Sequence, residues 1–243
     1  MIFKDIYCGF YTQKQPLQYA CTHDEVAAVA EACGIVKRAV YNLEPDYDSN
    51  DLTRSFAAAS GGTEVPVYRL LPPIFAENSF TQDQLYAAIR DENALFRALP
   101  KTHNVPFVSW VYGPALEVLC ETRTPLLVSL AQLDLRDAAE IKQAFPQLRL
   151  IISNTSQGRN REYVSFAKHF PHVYMETSCI VEYQGLENMS RIVGAEHFLF
   201  GSNMPLKEPY DKLHQVLFCG LSQEEKELIA HGNFERLVER REP

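Results

Sequence analysis

The sequence predicts an α/β protein wound into a (β/α)8 barrel of the TIM type. Three observations carry this: eight short runs rich in Val, Ile, Leu, Phe and Tyr recur along 243 residues, most of them lead into a segment of helical periodicity, and no Gly-x-Gly-x-x-Gly turn follows the first run. A doubly wound open sheet shares the local pattern, but the count of eight units and the missing dinucleotide turn favour the barrel. Several runs are almost continuously apolar, as expected of parallel strands buried on both faces.

In chain order, the candidate strands are Ile2 to Cys8, Ile35 to Tyr41, Val67 to Leu71, Pro106 to Trp110, Leu126 to Leu130, Leu148 to Ser153, Val173 to Glu176, and His197 to Gly201. Helix signals fall between them. Thr22 precedes Glu25 by three residues in the manner of a capping box, and Gly34 ends that helix. Thr81 with Gln84 opens another, Asp134 begins one that runs to Ala144, and Ser222 with Glu225 opens the last. Gly61-Gly62 is too isolated to cradle a phosphate, and the segment Glu239-Arg240-Arg241-Glu242-Pro243 reads as a frayed tail. No repeat beyond the βα unit and no linker divides the chain, so one domain over residues 1–243 is expected.

Composition narrows the function classes. With 46% hydrophobic residues the chain can bury one large core. Its 23 Lys and Arg and 31 Asp and Glu give a net charge of -8 and are mixed along the length, so neither a nucleic-acid arm nor a polybasic membrane patch forms. Apolar runs such as Pro125 to Ala131 are too short to span a bilayer, and the chain starts on a strand-like Ile2-Phe3-Lys4-Asp5-Ile6, which points to a cytoplasmic protein without a cleaved signal. The six cysteines (Cys8, Cys21, Cys33, Cys120, Cys179, Cys219) form no Cys-x-x-Cys pair and are expected to be reduced thiols.

From Pro146 onward, four segments carry a resemblance. Phe145-Pro146-Gln147-Leu148-Arg149-Leu150-Ile151-Ile152 enters the sixth strand, Val173-Tyr174-Met175-Glu176-Thr177-Ser178 forms the seventh, Phe198-Leu199-Phe200-Gly201-Ser202-Asn203-Met204-Pro205 the eighth, and Gly232-Asn233-Phe234-Glu235-Arg236-Leu237 follows. Together these resemble the amidohydrolase-related (amidohydrolase 2 type) family of metal-dependent hydrolases and decarboxylases, with its Pro-x-Leu, Phe-Gly-Ser-Asp-x-Pro and Gly-Asn-x-x-Arg-Leu patterns. The resemblance implies a TIM barrel with a zinc or other divalent centre, and it implies a tendency to dimerise. It also implies where the ligands would lie, and there this sequence departs. Asp5-Ile6-Tyr7-Cys8-Gly9 stands where the family has Asp-x-His-x-His, Ser129 and Asn154 stand where it has His, and Asn203 replaces its Asp.

Those replacements bear on the chemistry. A hydrolytic centre needs imidazoles and a carboxylate converging around an open water position. Tyr7, Gly9, Ser129, Asn154 and Asn203 do not supply that set, and neither Asn nor Gly is a general base near neutral pH. The expectation is therefore no resident metal and no metal-dependent activity. The seven histidines offer no obvious replacement: His23 precedes a helix, His103 lies in a loop before the expected fourth strand, His169, His172 and His197 fall at the amino-terminal mouth, and His214 and His231 look like helix-surface residues.

The strand ends still carry Tyr7, Cys8, Arg69, Trp110, Tyr112, Ser129, Gln132, Asn154, Glu176, Ser178, Cys179 and Asn203. An Arg suits a carboxylate and Trp and Tyr offer flat walls, so Tyr7, Arg69, Trp110, Ser129, Asn154 and Asn203 are read as lining a pocket for a small polar or anionic aromatic molecule. The same residues also fit ordinary barrel layers and loops. Glu176 and Cys8 are the reactive candidates, as acid or base and as nucleophile. Against that, Cys8 has no neighbouring His to activate it, and Glu176 fits a structural ion pair with Arg69. Two functions remain open: a metal-independent hydrolase or lyase acting on a small carboxylated substrate, and a non-catalytic barrel that binds a small molecule or a partner.

Overall fold

The computed structural model describes residues 1–11, 22–43, 49–72, 79–155 and 157–241. It holds an eight-stranded parallel sheet in the order β1 to β8: β1 Phe3–Phe10, β2 Ile35–Asn42, β3 Glu64–Leu70, β4 Leu95–Ala98, β5 Leu126–Ser129, β6 Leu150–Ser153, β7 Val173–Glu176 and β8 Phe198–Leu199. The segment after β8 returns to β1 through backbone bonds, Ile6 N–H to Phe200 O (2.9 Å), Asn203 N–H to Tyr7 O (2.8 Å) and Gly9 N–H to Met204 O (2.7 Å). With these bonds the sheet is a nearly closed (β/α)8 barrel, as the sequence predicts. Asp5 reinforces the seam: its carboxylate accepts from the N–H and hydroxyl of Ser202 and from the N–H of Tyr7.

Helices alternate with the strands: α1 His23–Ala32, α2 Ser49–Ala59, α3 Gln82–Glu92, α4 Ser109–Glu121, α5 Leu135–Ala144, α6 Asn160–His169, α7 Gly185–Val193, α8 Pro209–Phe218 and α9 Gln223–Glu227. The caps read from the sequence are present. Thr22 with Glu25, Thr81 with Gln84, and Ser222 with Glu225 form reciprocal capping boxes, and Asp134 accepts from Arg136 N–H. Beyond α1, Gly34 at φ +71° supplies the left-handed turn into β2.

One strand lies earlier in the chain than its apolar run predicts. Pro106 to Trp110 is not the fourth strand: it is the entry to α4, and Trp110 lies in that helix's first turn, 77% exposed. The true β4 is only four residues long and has Arg97 in its middle, so its apolar signal is weaker than that of Val105-Pro106-Phe107-Val108. His103 consequently sits after β4, at the carboxyl-terminal mouth, not before a strand. The other boundaries move by three residues or fewer.

Alternation sorts the strand residues into two layers. Cys8, Val40, Tyr68, Phe96, Val128, Ile152 and Met175 face the helices. Ile6, Ala39, Tyr41, Val65, Val67, Leu95, Leu127, Ile151, Tyr174 and Leu199 fill the barrel, and Phe234, Leu237 and Val238 join them. Leu237 and Val238 belong to the second of two π-helical turns, Leu228–Gly232 and Glu235–Glu239, and Phe234 lies between the two turns, in a segment that crosses beneath the amino-terminal ends of the strands. Asn233 fixes the crossing by donating to Ala195 O (2.9 Å) and Phe198 O (2.8 Å), and Arg236 donates to Glu196 O (2.9 Å).

The expected frayed tail is also corrected where it can be seen. Glu239 pairs with Lys4 (2.9 Å) and Lys37 (3.2 Å), and Arg241 donates to Asn93 Oδ1 (2.7 Å) and Ala94 O (3.2 Å), so this stretch docks under β1, β2 and β4. Glu242 and Pro243 lie outside the described residues, as does Cys21. The other five cysteines are free thiols. No helix among the described residues is long and apolar enough to cross a membrane.

Candidate functional site

The carboxyl-terminal mouth is built by residues two positions beyond the barrel-filling layer. Continuing the alternation from Val67 and Leu95 brings Arg69 and Arg97 to the inner face, paired Cα to Cα across β3 and β4. Asn50 at the start of α2 grips the Arg69 peptide from both sides, accepting from its N–H (2.8 Å) and donating to its carbonyl (3.2 Å). The Arg97 guanidinium lies 4.2 Å from the centre of the Tyr41 ring and donates to Asn42 O (2.7 Å), while its buried Nε has no partner. Burial draws this guanidinium below its ordinary value, opposed by the phenols of Tyr41 and Tyr7.

His103 completes this side. Its loop is held by Gln132, whose side chain accepts from Thr102 N–H (2.9 Å) and donates to Thr102 Oγ1 (2.9 Å). The buried Nδ1 of His103 has no partner, and burial, then Arg69 and Arg97, pull the imidazole below its ordinary value. Leu43, Asn50, Arg69, Arg97, Thr102 and His103 line a cavity of about 310 Å³, and no carboxylate is among its described lining residues.

The opposite side, formed by β6 to β8, is already hydrogen-bonded to itself. Fully buried Glu176 accepts from Asn154 N–H (2.7 Å), Ser178 N–H (2.6 Å) and Ser178 Oγ (2.9 Å). Burial pushes its carboxyl up against the pull of these donors. A Cβ at Gly201 would stand 2.4 Å from Glu176 Oε2, so this strand end tolerates only glycine beside the carboxylate. The structural ion pair expected between Glu176 and Arg69 is not formed among the described residues; backbone amides and Ser178 take the carboxylate instead. Replacing Glu176 by Gln turns one of two acceptors into a donor facing N–H groups, and a loss of about 1–3 kcal/mol is expected on urea unfolding.

The remaining sequence-predicted residues are distributed as follows. Tyr7 is half-buried with its ring 5.1 Å from that of Tyr41; burial raises its phenol, which also senses Glu176 and Arg97, so it stands between the two sides. Ser129 lies level with Ser153 on the adjoining strand. Asn154 and Asn203 occupy left-handed conformations at φ 48° and 57°; Asn154 accepts from the Cys179 thiol (3.2 Å), which also takes a hydrogen bond from Lys207 (2.9 Å). Cys8 is not brought to Glu176. It is buried on the helix-facing layer, where burial pushes its thiol well up. Trp110 is on the exposed surface of α4 and contributes no wall.

Arg97, His103, Tyr41 and Asn50 are the residues the sequence reading missed. A signal was available for Arg97: Val67-Tyr68-Arg69-Leu70 and Leu95-Phe96-Arg97-Ala98 repeat the same apolar, aromatic, Arg, apolar order in neighbouring strands.

The profile of the amidohydrolase family matches residues 30–240. The chain belongs to the amidohydrolase family. No curated protein matches the sequence. Among solved structures, amidohydrolase-like barrels superpose over nearly the whole chain. A dihydroxybenzoic acid decarboxylase from Polaromonas sp. JS666, with bound manganese and the inhibitor 2-nitroresorcinol, gives a TM-score of 0.76 at 12% identity, covering 100% of this chain and 98% of that one. An uncharacterised TIM-barrel protein from Bordetella bronchiseptica gives 0.77 at 14% identity over 99% of each chain. A putative amidohydrolase from Staphylococcus aureus gives 0.75 at 13% identity, covering 98% of this chain and 100% of that one.

The amidohydrolase metal can be tested against the donors in place. At the positions where the sequence resemblance puts the family's ligands stand a phenol, a glycine, a hydroxyl and two amides, and the buried carboxylates Asp5 and Glu176 are spent on amide and hydroxyl donors. Among the described residues no group of three or more His, Cys, Asp or Glu is placed to hold an ion. This donor set does not fit a hydrolytic divalent centre.

Proposed function

We propose that this protein is a divergent amidohydrolase-family barrel that holds a small carboxylated molecule at its mouth without the family's metal centre. The observation that carries the reading is the convergence of Arg97, Arg69 and His103 on a cavity whose described lining contains no carboxylate. The half-buried Arg97 guanidinium has no carboxylate partner among the described residues, a state that an incoming anion relieves, and the planar fork of an Arg matches a carboxylate. The buried Tyr41 ring lies under the Arg97 guanidinium and braces it at the mouth. Binding is favoured over turnover by the other side of the mouth, where Glu176 has both oxygens occupied. For a metal-independent lyase or hydrolase, His103 is the candidate base among the described residues that line the cavity.

Calorimetric titration with benzoate and benzamide tests the reading. Benzoate is expected to bind and benzamide to bind far more weakly, and Arg97→Met is expected to weaken benzoate about 10–100-fold, the loss of a charge-assisted pair. Equal affinity for the acid and its amide would sink the carboxylate assignment. Stoichiometric manganese uptake by the purified protein, with benzoate or hydroxybenzoates consumed by NMR, would overturn the metal-free part.

A further inference from the structure

We infer that the mouth takes its carboxylate together with a proton, and that His103 receives it. The inference rests on the carboxylate reading and adds the linkage that sets its affinity. Its basis is geometric. The charged groups that face His103 among the described residues are Arg69 on β3 and Arg97 on β4, both cationic. Lys101, on the same loop, turns its ammonium to Ala131 O (2.8 Å), and Thr102 is engaged by Gln132. The buried Nδ1 of His103 is left without a partner, and no described carboxylate reaches the ring.

Before an anion binds, a proton on His103 would place a further positive charge near the Arg97 guanidinium in a partly desolvated space, so the ring stays neutral, in keeping with its lowered pKa. A carboxylate bound to the Arg97 guanidinium reverses the local field. It cancels one cation, and it offers an oxygen to an imidazole N–H. The imidazolium then becomes favourable, and the pKa of His103 rises on binding. The sign follows from linkage: between the lower pKa of the free site and the higher pKa of the complex, each ligand brings up to about one proton, and affinity weakens up to about tenfold for each unit of rising pH. The carboxylic acid itself, titrating near pH 4, stays ionised through this window and contributes nothing to the slope.

The experiment is titration of the full-length protein with sodium benzoate at pH 6, 7 and 8, each in two buffers of different ionisation enthalpy, which reports protons taken up per benzoate. Proton uptake is expected, together with a dissociation constant that rises with pH. His103→Gln is expected to bind benzoate more weakly and with an affinity independent of pH. The His103 ring resonances in the unaltered protein, followed by NMR, should report a higher pKa with benzoate than without, which keeps the test available should the variant fold poorly. No benzoate binding at any pH would overturn the carboxylate reading and this inference with it. Benzoate binding without proton uptake, or uptake that persists in His103→Gln, would overturn this inference alone.

Discussion

Arg38→Met is expected to destabilise the protein by about 3–5 kcal/mol at neutral pH, the usual cost of stranding one member of a buried ion pair. Arg38 on β2 is 7% exposed and Glu64 at the start of β3 is 6% exposed, and their side chains form a close hydrogen-bonded ion pair beneath α1 and α2. The guanidinium also reaches Ala27 O in α1 at 3.4 Å. Without it, Glu64 keeps only His23, whose Nε2 lies 2.8 Å from its carboxylate and whose ring stacks on Phe56 at 4.4 Å. The hydrogen bond to Glu64 holds that imidazole above its ordinary value. A raised His contributes stability below its unfolded pKa and loses it as pH climbs through the folded one. The variant's urea midpoint should therefore fall more steeply between pH 6 and pH 8.5 than that of the parent. Combining Arg38→Met with Glu64→Leu should recover most of the loss. A single variant as stable as the parent would mean that water or a shifted side chain already solvates Glu64.

Phe234→Ala is expected to cost about 3–5 kcal/mol, the range for removing a buried aromatic ring without collapse of the space around it. Phe234 is 1% exposed and shares the barrel interior with Ile6, Leu95, Ile151 and Leu199. Its neighbours are strands locked by parallel pairing, which have little freedom to close over a cavity. Thermal unfolding should show the loss directly. Phe218, 80% exposed on α8, is the control: its replacement by Ala should shift the midpoint little.

Much of the architecture could be read from the chain, because caps and apolar runs are local signals. Thr22 and Glu25 announce a helix start whatever the rest of the protein does, and Val173 to Glu176 is apolar enough to be read as a strand with correct ends. β4 escaped because a strand that carries an Arg into the mouth sacrifices the apolar continuity by which strands are recognised, while Phe107 and Val108 are apolar for packing α4. That one displacement also hid the site. A fourth strand over Pro106 to Trp110 sets His103 at the wrong end of the barrel and leaves Arg97 without a role. The family itself was legible, since its carboxyl-terminal motifs survive low identity. Which neighbours Glu176 would choose was not, because Ser178 and the amide of Asn154 outbid Arg69 only through the three-dimensional path of β6 and β7.

The crossing segment beneath the strands has a consequence for how the chain is made. Residues 234–238 are synthesised after all eight strands, yet they occupy the same interior as residues of β1 and β2. Until they emerge, a nascent barrel is an open tube with wet apolar walls at one end, and the strands at its seam lack Phe234 to pack against. Translation therefore delivers the parts in one order and the hydrophobic effect can use them only in another, so the barrel reaches its native packing after its last strand has been made.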